Sequence, residues 1–126
     1  MPPENNRWFE FAEEDLQMAE LALQNSLYNQ VCFHAQQAAE KLLKSVISDK
    51  GQLIPKTHKM VDLLSLMKDE DLAQFRDRLI LLDRFYIPTR YPDALPGVLP
   101  NGLPVRKDAE EALGTACALR AKVSRT

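Results

Sequence analysis

Apolar residues recur every three or four positions along most of this chain, with polar residues between them. The pattern is clearest in residues 29–50, where it predicts one long helix with a wide apolar stripe. The stripe consists of Val31, Ala35, Ala38, Leu42 and Val46, widened by Cys32, Ala39, Leu43 and Ile47. Gly51 follows and predicts the end of the helix, because glycine readily takes the left-handed conformation that closes many helices.

Further helices are expected on both sides of this segment. The spacing predicts a first helix over residues 7–26, a short third helix over residues 58–67, and a last helix from about Pro104 toward Val123. A fourth helix is expected after Asp69 or Asp71. Its apolar series is Leu72, Phe75, Leu79, Leu82 and Tyr86. Since no segment reads as a strand, we expect an all-α protein with a single domain over residues 1–126.

A second face of the central helix carries polar residues at helical spacing. His34, Gln37, Lys41 and Lys44 stand over one another along it. The lysines are candidates to neutralise a phosphate or an acidic partner, and the amide of Gln37 suits a base edge or a partner backbone. His34 is either a ligand contact or simply hydrogen-bonded. The alternative for the lysines is a solvated stripe that pairs with Glu40.

His58 follows Thr57, which is placed to cap the third helix. A helix N-terminus disfavours positive charge, so a neutral imidazole is expected there. We consider His58 a candidate ligand residue, with a structural anchor for the loop around Pro55 as the alternative.

Residues 88–104 interrupt the helical pattern, since they hold five of the eight prolines and two of the four glycines. Long loops within one domain are usually functional or mobile. Arg90 offers a planar guanidinium for a phosphate or carboxylate, and Tyr91 offers a ring for base stacking. Asp93 completes this candidate set. The alternative is local: Arg90 and Asp93 form a salt bridge, and Tyr91 packs on the protein.

Composition excludes several classes of function. Apolar residues at 45% and charged residues at 27% are typical of a globular protein, and a net charge of -2 neither indicates nor excludes nucleic acid. The sequence has no apolar run of membrane-spanning length and no signal peptide, so a cytoplasmic protein without membrane contact is expected. Cys32 and Cys117 are expected to be buried free thiols. No cofactor or metal site is predicted.

Several motifs together resemble a HEPN domain. They are residues 33–44 (FHAQQAAEKLLK), residues 55–58 (PKTH), residues 89–93 (TRYPD), and Trp8 with the Asp15–Leu16 pair in the first helix. The resemblance covers essentially the whole chain. It implies an antiparallel up-and-down four-helix bundle with an additional short helix, commonly a homodimer. It also implies nucleotide binding, often beside a minimal nucleotidyltransferase in pairs that behave as toxin–antitoxin modules.

One motif of the family is missing. HEPN members that cut RNA carry an arginine followed, after four to six residues, by a histidine, and neither His34 nor His58 has an arginine at that distance before it. No catalytic residue is therefore predicted, and RNA stays an unsupported partner.

The leading hypothesis is an accessory protein that binds a nucleotide or a nucleotidyltransferase partner. It requires the loop with Arg90 to fold back over the second helix. The alternatives are a homodimeric scaffold without a small ligand, and a ribonuclease using Arg90 with His58.

Overall fold

The computed structural model describes residues 5–67, 70–85 and 104–123. Within these ranges all regular structure is helical, which confirms the all-α prediction. The elements are α1 (Asn5–Gln24), α2 (Tyr28–Asp49), α3 (Met60–Leu64), α4 (Glu70–Ala73), α5 (Arg76–Leu82), a 3₁₀ turn (Asp83–Phe85) and α6 (Arg106–Val123). None of the helices in the described ranges is long and apolar enough to cross a membrane.

α1 and α2 form an antiparallel hairpin, and they pack together more extensively than any other two helices in the described ranges. The turn between them is tight: the N–H of Leu27 donates to the carbonyl of Ala22 at 2.9 Å, and Ser26 has a left-handed φ of 59°. Small side chains allow the two helices to approach closely. Those that are fully buried are Ala12 and Ala19 on α1, with Ala35, Ala38 and Ala39 on α2.

α2 is the central helix, because it also packs against α6, α3 and α5. It ends as the sequence predicted: Gly51 has a φ of +74°, and the N–H of Gln52 donates back to the carbonyl of Ile47. Four of the buried residues predicted for the fourth segment are confirmed, and the fifth, Tyr86, lies outside the described residues. The four are Leu72, Phe75, Leu79 and Leu82. These elements form the expected four-helix bundle, with α3 as the additional short helix.

The third and fourth helices are shorter than the spacing predicted. Thr57 accepts a bond from the N–H of Lys59, and this local turn delays α3 until Met60, whose N–H is capped by Asp83. The fourth helix is interrupted at Phe75, where the N–H bonds three residues back to Leu72 rather than four. The apolar seam continues through this break, because the tight turn keeps Phe75 on the inner side.

The two cysteines differ in environment. Cys32 is buried as expected, and burial raises the pKa of its thiol to about 12. The prediction of a buried Cys117 is wrong, since this side chain is exposed on α6. Its pKa is also raised, by partial burial and by the nearby charge of Glu20.

Candidate functional site

Two carboxylates organise the polar side of α2. We call this set of side chains the α2 polar face. It comprises Asp15 of α1, His34, Gln36, Gln37, Glu40, Lys41 and Lys44 of α2, and His58 before α3.

Asp15 is the first anchor, and it reaches the polar face from α1. One carboxylate oxygen lies 3.0 Å from Nδ1 of His34, and the other lies 2.6 Å from Nζ of Lys41. His34 and Lys41 are two helical turns apart, so one acidic side chain between them contacts both. Burial alone would raise the pKa of Asp15, but the hydrogen bonds from His34 and Lys41, together with the charge of Lys41, outweigh it and lower the pKa.

Glu40 is the second anchor and has only 3% of its side chain exposed. Its carboxylate accepts from Nζ of Lys44 at 2.7 Å and from Nε2 of Gln36 at 3.3 Å. Nδ1 of His58 lies 3.2 and 3.1 Å from the two oxygens. Lys44 is also held from its other side, because its ammonium lies 5.1 Å from the ring centroid of Trp8.

Gln37 extends this network outward. Its Nε2 donates to Oε1 of the fully buried Gln36 at 2.7 Å, and Gln36 in turn donates to Glu40. The chain of bonds therefore runs from the half-buried Gln37 to the buried carboxylate.

The charges of the α2 polar face cancel. Lys41 is paired with Asp15, and Lys44 is paired with Glu40 as the alternative interpretation of the sequence expected, so neither lysine is an unpaired cation. Nor is the face a solvated stripe, because Lys44 has only 10% of its side chain exposed. Anion binding here needs a further cation.

Asp83 of the 3₁₀ turn lies near enough to Glu40 for the two charges to interact. Its Oδ2 accepts the N–H of Met60 at 2.9 Å, while its Oδ1 is buried and has no hydrogen-bond partner among the described residues. Burial raises the pKa of Asp83, and the charges of Glu40 and Asp62 add to that effect.

The structure thus groups five of the predicted site residues, with His34 and Lys41 at one carboxylate, Lys44 and His58 at the other, and Gln37 linked to the second. Arg90, Tyr91 and Asp93 lie outside the described residues. Sequence reasoning offered Glu40 as a partner for the lysines, but it missed the burial of Glu40 and Gln36 and the contribution of Asp15 from α1. A signal existed: each of the three interrupts an apolar stripe at a position that helical spacing turns inward.

A groove of about 520 Å³ lies between α5 and α6. Its lining combines apolar side chains with charges of both signs. The lining includes Arg78, Leu81, Arg84, Phe85, Asp108 and Thr115. Nothing in the sequence pattern indicated this groove. Among the described residues, no group of three or more His, Cys, Asp or Glu side chains could hold a metal ion.

Comparison with known proteins connects this arrangement to a family. A protein of Methanocaldococcus jannaschii called "Putative toxin MJ1304" is 32% identical over 116 residues, which cover 83% of this chain and 76% of that protein. The crystal structure of TT1696 from Thermus thermophilus has a TM-score of 0.73 at 37% identity, with 95% of each chain covered.

The crystal structure of ST0689, an archaeal HEPN homologue, has a TM-score of 0.71 at 26% identity and covers 98% of this chain and 100% of that one. The family model for the HEPN domain matches residues 6–125. The match spans nearly all of the sequence and includes both helices that build the α2 polar face. The chain therefore belongs to the HEPN domain family.

Proposed function

We propose that this protein is a nucleotide-binding accessory protein that acts with a minimal nucleotidyltransferase in a toxin–antitoxin-like two-gene module. Membership of the HEPN family and the likeness to a relative named as a toxin fit such a module. The observation that carries the ligand half is the α2 polar face, where two buried carboxylates hold histidine, lysine and amide groups in fixed positions.

Stability alone is a weak reason for such a face. Buried ion pairs lose most of their attraction to desolvation, and apolar residues of similar size would often stabilise the fold as well. Here the charged groups of Asp15, Glu40 and Lys44 are largely buried. Buried clusters of charged groups that include a carboxylate with a shifted pKa, as Asp15 has here, are concentrated at functional sites. The polar face is therefore better explained by ligand recognition.

Because the charges of the α2 polar face cancel, its residues and those of the loop have different roles in the proposed site. Lys41 and Lys44 are already paired, so phosphate recognition falls to Arg90, and Tyr91 supplies a ring for the base. His34, Gln37 and His58 border the ligand, and Asp93 orients Arg90. This arrangement requires the loop that carries Arg90 to lie against α2.

Calorimetry with a panel of nucleotides tests the ligand half. Arg90→Ala should weaken binding by at least about tenfold, because a charge-assisted hydrogen bond contributes about 1.5 to 3 kcal/mol. Arg106→Ala is the matched control, since Arg106 is an exposed arginine bonded to Glu110. The proposal fails if no nucleotide binds at millimolar concentration and Arg90→Ala leaves partner affinity unchanged.

Co-expression with the product of the adjacent gene tests the partner half. A nucleotidyltransferase that co-purifies at fixed stoichiometry supports the module. Absence of any such gene beside this one, together with a protein that purifies alone from its own host, would contradict it.

A second candidate function is a homodimeric interaction module without a small ligand, and exposed apolar side chains on α1 favour it. Phe11, Met18 and Leu21 are 45%, 50% and 48% exposed, and Phe11 and Met18 flank Asp15 on its own face of the helix. Met18→Glu should then separate the copies, with Gln17→Glu as the control on the same helix. Light scattering reports the mass, and a wild-type monomer at micromolar concentration excludes this candidate.

A further inference from the structure

The two buried carboxylates also determine which atoms of the α2 polar face point outward as donors or acceptors. We propose that Asp15 and Glu40 make His34 and Gln37 present hydrogen-bond acceptors, so that these two residues recognise hydroxyl or amine donors on the nucleoside part of the ligand. This inference rests on the proposed function and adds the specificity of its site.

Asp15 fixes which ring nitrogen of His34 carries a hydrogen. An ionised carboxylate can only accept hydrogen bonds, so the 3.0 Å contact with Asp15 requires Nδ1 of His34 to carry the hydrogen. A neutral imidazole has one hydrogen, and Nε2 is then an acceptor. Lys41 binds the second oxygen of Asp15 at 2.6 Å and so fixes the carboxylate that orients the ring. The lowered pKa of Asp15 agrees with an ionised acceptor.

The amide of Gln37 is oriented through Gln36 by the carboxylate of Glu40. Glu40 accepts from Nε2 of Gln36, which leaves Oε1 of Gln36 to accept from Nε2 of Gln37 at 2.7 Å. The carboxylate of Glu40 therefore orients the amide of Gln36, and the amide of Gln36 orients that of Gln37. The oxygen of Gln37 is then left to accept a further hydrogen bond. In the described part of the chain, neither Nε2 of His34 nor Oε1 of Gln37 has a hydrogen-bond partner.

The two acceptors select for the part of the ligand that can donate hydrogen bonds. His34 and Gln37 are one turn apart on α2, so their two acceptors lie on the same face. Phosphate oxygens offer no hydrogens to these acceptors, whereas ribose hydroxyls and base amines do. The polar face thus fits the nucleoside end of the ligand.

Nitrogen NMR of the histidine rings tests the polarity directly in the wild-type protein. At about pH 8, the ring of His34 should carry its hydrogen on Nδ1, the nitrogen that contacts Asp15. Asp15→Ala should shift this ring toward the Nε2–H form, and Glu14→Ala, which removes an exposed carboxylate from the same helix, should not. A wild-type ring with hydrogen on Nε2 overturns the inference.

Calorimetry then tests the recognition. The probes are adenosine 5′-monophosphate, its 2′-deoxy form, its analogue without the 6-amine, and inorganic phosphate. His34→Ala and Gln37→Ala should each weaken the first probe by about two- to tenfold and leave inorganic phosphate unchanged. Gln24→Ala, an exposed glutamine on α1, is the control. If a ribose hydroxyl donates to His34, the 2′-deoxy probe should bind equally to wild type and His34→Ala. If the base amine donates to His34, the analogue without the 6-amine should bind equally to both.

The outcomes separate the two proposals. Equal binding of adenosine 5′-monophosphate to wild type and both variants overturns the recognition role, even if the ring form is as expected. No binding to wild type overturns the proposed function, whereas the ring form still decides whether Asp15 sets the polarity of His34. Circular dichroism of each variant confirms that a loss of affinity is not a loss of fold.

Discussion

Two ion pairs on neighbouring helices have similar geometry and very different surroundings. Glu40 and Lys44 on α2 are 2.7 Å apart with 3% and 10% of their side chains exposed. Arg106 and Glu110 on α6 have the same four-residue spacing and a distance of 3.0 Å, but are 57% and 54% exposed. Water compensates the loss of one partner on α6 and cannot do so on α2. Burial, and not distance, decides how much each pair matters.

The largest effect is expected from breaking the buried pair. Glu40→Ala leaves the ammonium of Lys44 buried without its carboxylate, so the free energy of unfolding should fall by about 3 to 5 kcal/mol in urea titrations. The double variant Glu40→Leu with Lys44→Met removes both charges and should recover most of that loss. A loss below about 1 kcal/mol in the single variant would show that the pair is not buried in solution.

The Asp15 anchor should give a smaller effect that depends on pH. Its folded pKa is lowered from an ordinary value of 3.8, so its stabilisation is present above that value and is lost as pH falls toward the folded pKa. Asp15→Asn should cost about 1 to 3 kcal/mol at pH 7, and the difference from wild type should shrink under acid conditions. Urea midpoints at several pH values measure it. A difference that is constant with pH would contradict this assignment.

The contribution of Asp83 to stability should depend on pH in the opposite direction to that of Asp15. Because its folded pKa is raised, its charged form is disfavoured in the folded chain, and stability should increase as pH falls through that raised value. Asp83→Ala removes the cap on Met60 and should cost about 1 kcal/mol. Asp83→Asn keeps an acceptor for that N–H, so at pH 7 it should match or exceed the wild-type stability. Thermal melts of both variants compare the cap with the charge.

The smallest effect is expected on α6. Arg106→Ala should change the free energy of unfolding by less than about 0.5 kcal/mol, since an exposed pair one turn apart contributes little. A double-mutant cycle with Glu110→Ala measures the pair by itself. A coupling above about 1 kcal/mol would remove the contrast between the two helices.

Local sequence chemistry predicted much of the fold. The stripe on α2 and the glycine after it depend on residues close in sequence, and both are confirmed. The errors arose where distant residues intervene. α3 begins at Met60 because Asp83 caps it from the following segment. Cys117 fits an apolar pattern, but its side chain is exposed on α6, on the side that carries Glu20 of α1 nearby.

The candidate site was predictable only within one helix. Helical spacing placed His34 and Lys41 on a common face, and the structure agrees. That Asp15 lies between them depends on the register of α1 against α2, which the tight turn and the small buried alanines determine together. A one-helix pattern contains no such information. It offered Glu40 of the same helix as a partner for the lysines, but it could not identify Asp15 of α1 as the partner of Lys41.

The turn at Ser26 has a consequence for how folding begins. α1 and α2 are joined by only a few residues and pack over most of their length, so bringing them together costs little loop-closure entropy. Contacts between residues that are close in sequence form quickly during folding. This hairpin should therefore be the first native unit to assemble, and its amides should exchange with deuterium more slowly than those of α3 to α5.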